Sequence, residues 1–295
     1  RLEINLNGCL ENYRYFRSIL NDSTKLLVLV KANAYGHGAV EFASLMEDAG
    51  ADYLAVAYPV EGMELRQAGV HSPIMVLTAG TDSFEQIINY GLEPGIPNLY
   101  SLQVLCRILE KRGLKDFPVH IKLDTGMHRL GFMTDELPEL IDFLKTCTSV
   151  KVKSVYSHLA AADDPCCDDF TVSQIEMFRA NADMLSDSLG YKPLYHVLNS
   201  AGIERFPQYQ FDMVRLGIGD DRGKRYLASR TRRRWHGDEQ RRPREHLEHA
   251  SHLLDGLVGF GDARCSALRA VHRRTATEAD ERQVAEMRQK EKRAY

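Results

Sequence analysis

A parallel α/β barrel of the TIM type, (β/α)8, is the fold this sequence predicts for residues 1–219, and three observations predict it. Eight short apolar runs alternate with stretches of helical period, and runs this nearly continuous suit strands buried on both faces of a parallel sheet. Eight such units close a barrel more readily than they extend an open sheet. Polar side chains gather at one end of the runs, with Lys31, Asp124, His158, Asn199 and Arg215 at or just after their C-terminal ends. In such a barrel that face carries the chemistry.

Taken in order, the first helix is expected where Leu10, Tyr13, Phe16 and Leu20 share a face. LLVLVK (26–31), YLAVA (53–57) and PIMVLT (73–78) read as the first three strands, and the Pro- and Gly-interrupted LEPGIP (92–97) as the fourth. A helix with Leu102, Leu105, Ile108 and Leu109 on one face precedes strand five, VHIKLD (119–124), and strand six, VKVKSVYSHL (150–159). A helix burying Ile175, Phe178, Ala182 and Leu185 leads to LYHVLN (194–199) and FDMVRLGI (211–218), strands seven and eight. Gly50, Gly69, Gly113 and Gly190 fall where helices should stop.

After residue 219 the alternation ends. Residues 1–219 carry 19 Lys and Arg against 28 Asp and Glu, whereas 220–295 carry 19 against 13, so the net charge turns from −9 to +6. DDRGKRYLASRTRRRWHGDEQRRPREHLEHASHLL holds no strand-length apolar run, and TATEADERQVAEMRQKEKRAY fits a charged surface helix with little to bury. The expectation is an unassigned Arg-rich tail, poorly folded or helical. Its interleaved acids and missing aromatic platform argue against a nucleic-acid-binding arm. With 44% hydrophobic and 27% charged residues the chain is globular. No apolar run approaches membrane-spanning length, and no basic-then-apolar start marks a signal peptide. Six cysteines without a CxxC pair point to a reducing cytoplasm. The first residue is Arg1, so the numbering is expected to begin inside a longer product or after trimming.

Lys31 closes a buried strand, where desolvation lowers an ammonium's pKa and frees a neutral amine able to form a Schiff base. A salt-bridged barrel lysine is the bland alternative. The following NAYGHG adds two glycines that allow close approach of a ligand, with Tyr35 and His37 as polar tips. Taken without the surrounding motif, His158 reads as a satisfied histidine at a strand end. The loop ADDPCCDDF reads as solvated, because adjacent Cys166 and Cys167 diverge and the mixture of hard and soft ligands suits no common metal.

VKANAYGHG (30–38) resembles the pyridoxal-phosphate lysine signature of the alanine racemase family. KLDTGMHRLGF (122–132), SHLAAADDP (157–165), LNSAGI (198–203) and FDMVRLGIG (211–219) are similar to further segments of that family, in the same order. The resemblance implies a cytoplasmic, homodimeric isomerase using pyridoxal 5′-phosphate to interconvert L- and D-alanine for peptidoglycan synthesis. It implies that Lys31 holds the cofactor and is one of two catalytic bases. Tyr35, Ser200 and backbone N–H groups near Gly217 and Ile218 would bind the phosphate, with Asn199 counted among the cofactor-binding residues. His158 would pack on the cofactor ring. Arg215 would face the ring nitrogen and leave it unprotonated, because an arginine keeps its proton. Arg129 would approach the phenolic oxygen, and Lys122 matches a position carbamylated in some members. His128 stands where the family often has a small residue.

The family's last barrel segment continues into Leu-Tyr-Gly and a β-domain whose tyrosine, in Gly-Tyr-Ala-Asp-Gly, is the second base. Here DDRGKRYLASRTRRR follows, and the nearest echo, LVGFGDA (257–263), has Phe260 in place of a phenol; Tyr226 and Tyr295 stand in other settings. The expectation is that 220–295 is a frame-shifted or otherwise replaced reading. Racemisation needs a base on each face of Cα, so activity is expected to be strongly reduced or absent. A non-enzymatic pyridoxal-phosphate carrier, or a racemase of serine or lysine, are the alternatives.

Overall fold

The computed structural model describes residues 4–217, and Ile218 and the 220–295 tail, with its expected helix, lie outside the described residues. Every predicted run forms a strand, most of them shorter than the run. They are β1 (Lys25–Leu29), β2 (Tyr53–Val56), β3 (Ile74–Val76), β4 (Glu93–Ile96), β5 (Phe117–Lys122), β6 (Val150–Tyr156), β7 (Leu194–His196) and β8 (Met213–Leu216). All paired strands are parallel; β1 to β7 follow one another round the sheet and β8 pairs back onto β1. Between β7 and β8 the ring is closed by two backbone bonds, Asp212 N–H to Tyr195 O at 3.2 Å and Arg215 N–H to Leu198 O at 3.0 Å.

The helices are α1 (Leu6–Ser18), α2 (Lys31–Gly36), α3 (Ala39–Asp48), α4 (Pro59–Gln67), α5 (Phe84–Asn89), α6 (Leu99–Lys111), α7 (Leu137–Thr146), α8 (Asp168–Leu189) and α9 (Ser200–Arg205). Asparagines cap three of them by accepting a backbone N–H: Asn5 from Gly8, Asn98 from Ser101 and Asn199 from Gly202. Gly190 ends α8 in the left-handed conformation, at φ 71°. The predicted faces are buried: Tyr13 and Phe16 of α1, Leu102, Leu105 and Leu109 of α6, and Ile175, Phe178, Ala182 and Leu185 of α8. Leu20 lies past the end of α1, partly buried against the same core. Among the described residues no helix is long and apolar enough to cross a membrane.

Outward-facing strand residues such as Leu26, Val28, Leu54, Val56, Ile74 and Val76 pack with the helices into the main core. Inward-facing Leu27, Tyr53, Ala55, Met75, Tyr156 and Met213 form a second cluster inside the barrel. The alternation is broken once. Val119 pairs with Val152 but His120 pairs with Ser154, so the β6 strand carries one extra residue at Lys153. A bulge of this kind flips the phase of the residues beyond it. It brings Ser154 inward to face His120, where both are fully buried.

Candidate functional site

The residues just after β1 are held in an unusual backbone. Ala32, Asn33, Ala34 and Tyr35 all have positive φ, between 49° and 58°, a left-handed turn that costs an L-residue about 1–2 kcal/mol each. Gly36 and Gly38 continue at φ 89° and 92°. A Cβ on Gly36 would meet nothing within 4 Å. Both glycines sit in a backbone conformation that L side chains rarely adopt, and a Cβ on Gly38 would also lie 2.9 Å from Glu41 Oε2. Strain of this kind persists only where its surroundings over-determine it. Asn33 Oδ1 accepts from Ala39 N at 2.8 Å, and Glu61 Oε1 accepts from Ala32 N at 2.6 Å. The other oxygen of Glu61 accepts from Ala57 and Tyr58 N at 2.7 and 3.0 Å, which locks the β1 and β2 ends together. Glu61 is not a residue that the sequence motifs single out; its signal is the acid placed three residues after Tyr58 at the start of α4. His37 turns away, donating from Nδ1 to its own Ala34 O at 2.6 Å.

This turn carries Lys31 and Tyr35 to the C-terminal mouth of the barrel, where four cations converge. The Lys31 ammonium is held below its ordinary pKa, first by burial and then by Arg129, with Glu61 opposing. Lys122 falls further, to about 8, by burial and then by Arg129 and Arg215. His158 drops to about 3, by burial and then by Arg215, Arg129, Lys122 and Lys31. The imidazole is therefore neutral at physiological pH. Burial lowers Arg215 to about 10, which leaves it charged at neutrality.

Arg215 lies within β8, and its guanidinium is almost fully bonded. Nη1 donates to His196 O at 2.9 Å and to His196 Nδ1 at 3.1 Å; Nη2 donates to Ser157 O at 2.6 Å and Val197 O at 3.0 Å, with His158 Nδ1 at 3.5 Å. Nε–H is the donor these bonds leave over. The Arg129 side chain is exposed, and its loop is fixed by Asp124, whose carboxylate accepts from the N–H groups of Gly126, His128 and Arg129 at 2.9, 3.0 and 3.1 Å. His128 sits at φ 54°, a conformation any non-glycine residue adopts at a cost. Gly131 is required outright: a Cβ there would lie 2.6 Å from the backbone of Leu123 and Asp124.

The other end of the site is a small polar cradle. Gly217 N–H donates to Ser200 Oγ at 2.9 Å, and a Cβ on Gly217 would press to 3.0 Å from Tyr35 Oη. Ser200, Gly217 and Tyr35 thus come together. Asn199 caps α9 through Oδ1, and Ile218 lies outside the described residues. The acidic loop binds itself and its neighbours: Asp164 accepts from Cys166 N at 2.9 Å and Asp168 from Arg205 at 2.6 Å. A cluster of cations, a partly desolvated amine, a neutral aromatic ring and a cradle lined by Tyr35 and Ser200 suit an anionic, flat, carbonyl-bearing ligand. Pyridoxal 5′-phosphate fits that description.

The family model described as "Alanine racemase, N-terminal domain" matches residues 4–219. The alanine racemase of Synechocystis sp. is 38% identical over 220 residues, 74% of this chain and 59% of that protein. That of Methanococcus maripaludis is 36% identical over 220 residues, 73% of this chain and 58% of that one. Among solved structures, alanine racemase from Clostridium difficile 630 in complex with cycloserine superposes with a TM-score of 0.70 at 34% identity, covering 74% of this chain and 60% of that one. The matched region therefore spans about three-fifths of these relatives.

Proposed function

This chain belongs to the alanine racemase family, and from that premise we propose that its barrel binds pyridoxal 5′-phosphate at Lys31 and provides the cofactor site of an amino-acid racemase acting on alanine. What supports the reading is the convergence of Lys31, Lys122, Arg129 and Arg215 around a neutral His158, beside the cradle of Tyr35, Ser200 and Gly217. When bound, the cofactor supplies an electron sink that acidifies the Cα–H of an attached amino acid.

Burial and then Arg129 lower the Lys31 pKa, with Glu61 opposing, and Lys31 would be the residue that bonds the cofactor's aldehyde and holds or returns a proton at Cα. Tyr35 Oη and Ser200 Oγ would hold the phosphate. Arg215 keeps its own proton and would offer Nε–H to the ring nitrogen, so that nitrogen stays an acceptor. His158 would give the ring a flat, uncharged support. Exchange at Cα needs a base on each face, and the second is expected from outside residues 4–217. Residues 220–295 hold no Gly-Tyr-Ala-Asp-Gly segment, so our reading for this chain is cofactor binding with turnover far below the family's.

The test is absorbance on adding pyridoxal 5′-phosphate. A visible band of the lysine-bound cofactor is expected, lost in Lys31→Ala; no band in the unsubstituted chain sinks the proposal. Coupled detection of D-alanine from L-alanine, repeated with serine and lysine, then reads turnover and substrate. Rapid D-alanine formation would overturn the second-base argument alone.

A further inference from the structure

Beneath the site, buried side chains connect Arg215 to the opposite mouth of the barrel. Arg215 Nη1 meets His196 Nδ1 at 3.1 Å, and His196 Nε2 lies 2.8 Å from Ser154 Oγ. Ser154 Oγ is 2.6 Å from His120 Nδ1, and His120 Nε2 is 2.9 Å from Glu93 Oε2. Tyr53 Oη donates to the same oxygen at 3.3 Å. His196, Ser154 and His120 are wholly buried, whereas the Glu93 side chain keeps 15% exposure. Glu93 is the first residue of β4, which puts it at the N-terminal end of the barrel, away from Lys31.

With both rings neutral, the chemistry of the two ends orders the bonds between them. A guanidinium only donates and a carboxylate only accepts. His196 Nδ1 must therefore accept, so its proton is on Nε2 and goes to Ser154. The serine hydroxyl then donates to His120 Nδ1, and His120 donates from Nε2 to Glu93. The reverse order would set an N–H of His196 against an N–H of Arg215. Burial, followed by Arg215 and His120, pushes His196 well below its usual pKa, in keeping with a neutral ring.

This chain of bonds matters because Arg215 is a buried cation without an acid beside it. Among the described residues no carboxylate lies within ion-pair distance of Arg215. A buried charge lacking compensation costs several kcal/mol. Successive hydrogen bonds polarise one another, so the Glu93 anion makes His196 Nδ1 a better acceptor at the far end of the chain of bonds. We propose that Glu93, His120, Ser154 and His196 are positioning residues that hold the Arg215 guanidinium in place, with Glu93 supplying the remote negative charge. The proposal rests on the reading of Arg215 as the partner of the cofactor ring.

Two measurements test it. The first needs no cofactor: in two-bond 15N correlation spectra of the histidine-labelled full chain, His196 and His120 should both appear as neutral Nε2–H tautomers. Either ring found as the Nδ1–H tautomer or as imidazolium overturns the directed chain, even if no variant folds. The second titrates Glu93→Gln and Ser154→Ala with pyridoxal 5′-phosphate, using thermal melts as a control for folding. The visible band should still form at Lys31, with the cofactor dissociation constant raised about tenfold and the absorbance maximum displaced in both variants. Affinity and spectrum unchanged in both would overturn the positioning role. Absence of the band in the unsubstituted chain would instead be failure of the cofactor reading, which removes the positioning role with it and leaves the tautomers to decide the direction of the bonds.

Discussion

The two faces of the barrel strands obey different rules. Outward, Leu26, Val28, Leu54, Val56, Ile74, Val76, Val119, Ile121 and Val155 are interchangeable in kind, all apolar and all packed with the helices. Inward, the strands divide. β8, β1, β2 and β3 present Met213, Leu27, Ala55 and Met75, while β4, β5, β6 and β7 present Glu93, His120, Ser154 and His196. The outer layer is stabilised by area removed from water, which tolerates many sequences of similar volume. The polar half inside depends on each donor meeting a particular acceptor, because an unmet buried group costs about 1–3 kcal/mol.

The largest effect should come from opening the outer layer. Phe178 is fully buried on α8, with ring contacts to Tyr195 at 6.0 Å and Phe211 at 5.6 Å. Phe178→Ala should destabilise by about 3–5 kcal/mol, read from urea unfolding. Overfilling the inner face should cost less. A Cβ on Gly95 would fall 2.5 Å from Tyr156 Oη and 3.1 Å from Val76 O, so Gly95→Ala should lose about 1–3 kcal/mol. A smaller loss from Phe178→Ala than from Gly95→Ala would break the contrast between the layers.

A third variant separates charge from volume. Lys122 is held at about 8 against an ordinary value of 10.5. Below pH 8 it is charged in both the folded and unfolded chains, and the folded state bears the whole desolvation cost. As pH rises from 8 toward 10.5 the folded chain loses the proton first, so the unfolded state binds more protons and stability rises. Lys122→Met should therefore stabilise by about 1 kcal/mol at pH 7, discounted for residual solvent. That advantage should shrink toward pH 10.5. A pH-independent difference between variant and parent would show that charge is not the cause.

The same contrast explains what could be read from residues alone. Eight apolar runs announce eight strands because the outer layer writes itself as LLVLV or YLAVA. The rim motifs were equally plain, since Lys31, His158 and Arg215 interrupt such runs and are brought together. The polar interior was hidden. His120 in VHIKLD, Ser154 in VKVKSVY and His196 in LYHVLN each look like one tolerated polar residue, and only the bulge at Lys153 and the closure of the ring make them neighbours. Glu61 shows locally only as the cap of α4, through Ala57 and Tyr58, whereas its bond to Ala32 at the end of β1 is one that no local spacing reveals.

The smallest expected effect concerns the one inward phenol that breaks the inner rule. Tyr156 Oη is buried without a hydrogen-bond partner, while its ring stacks on His196 at 5.2 Å and lies under Arg215 at 5.8 Å. Because an unsatisfied buried hydroxyl carries a cost of about 1–3 kcal/mol, Tyr156→Phe should keep the stacking and stabilise by about 1 kcal/mol, the low end of that range. The same oxygen is what Gly95→Ala would strike. In the Tyr156→Phe background that substitution should therefore lose much of its cost, leaving the contact with Val76 O, and a double-mutant cycle would read the difference as a coupling. Additive losses would mean that the clash is with the backbone alone. They would also place Tyr156 with the apolar half of the interior, as a ring whose hydroxyl the barrel merely accommodates.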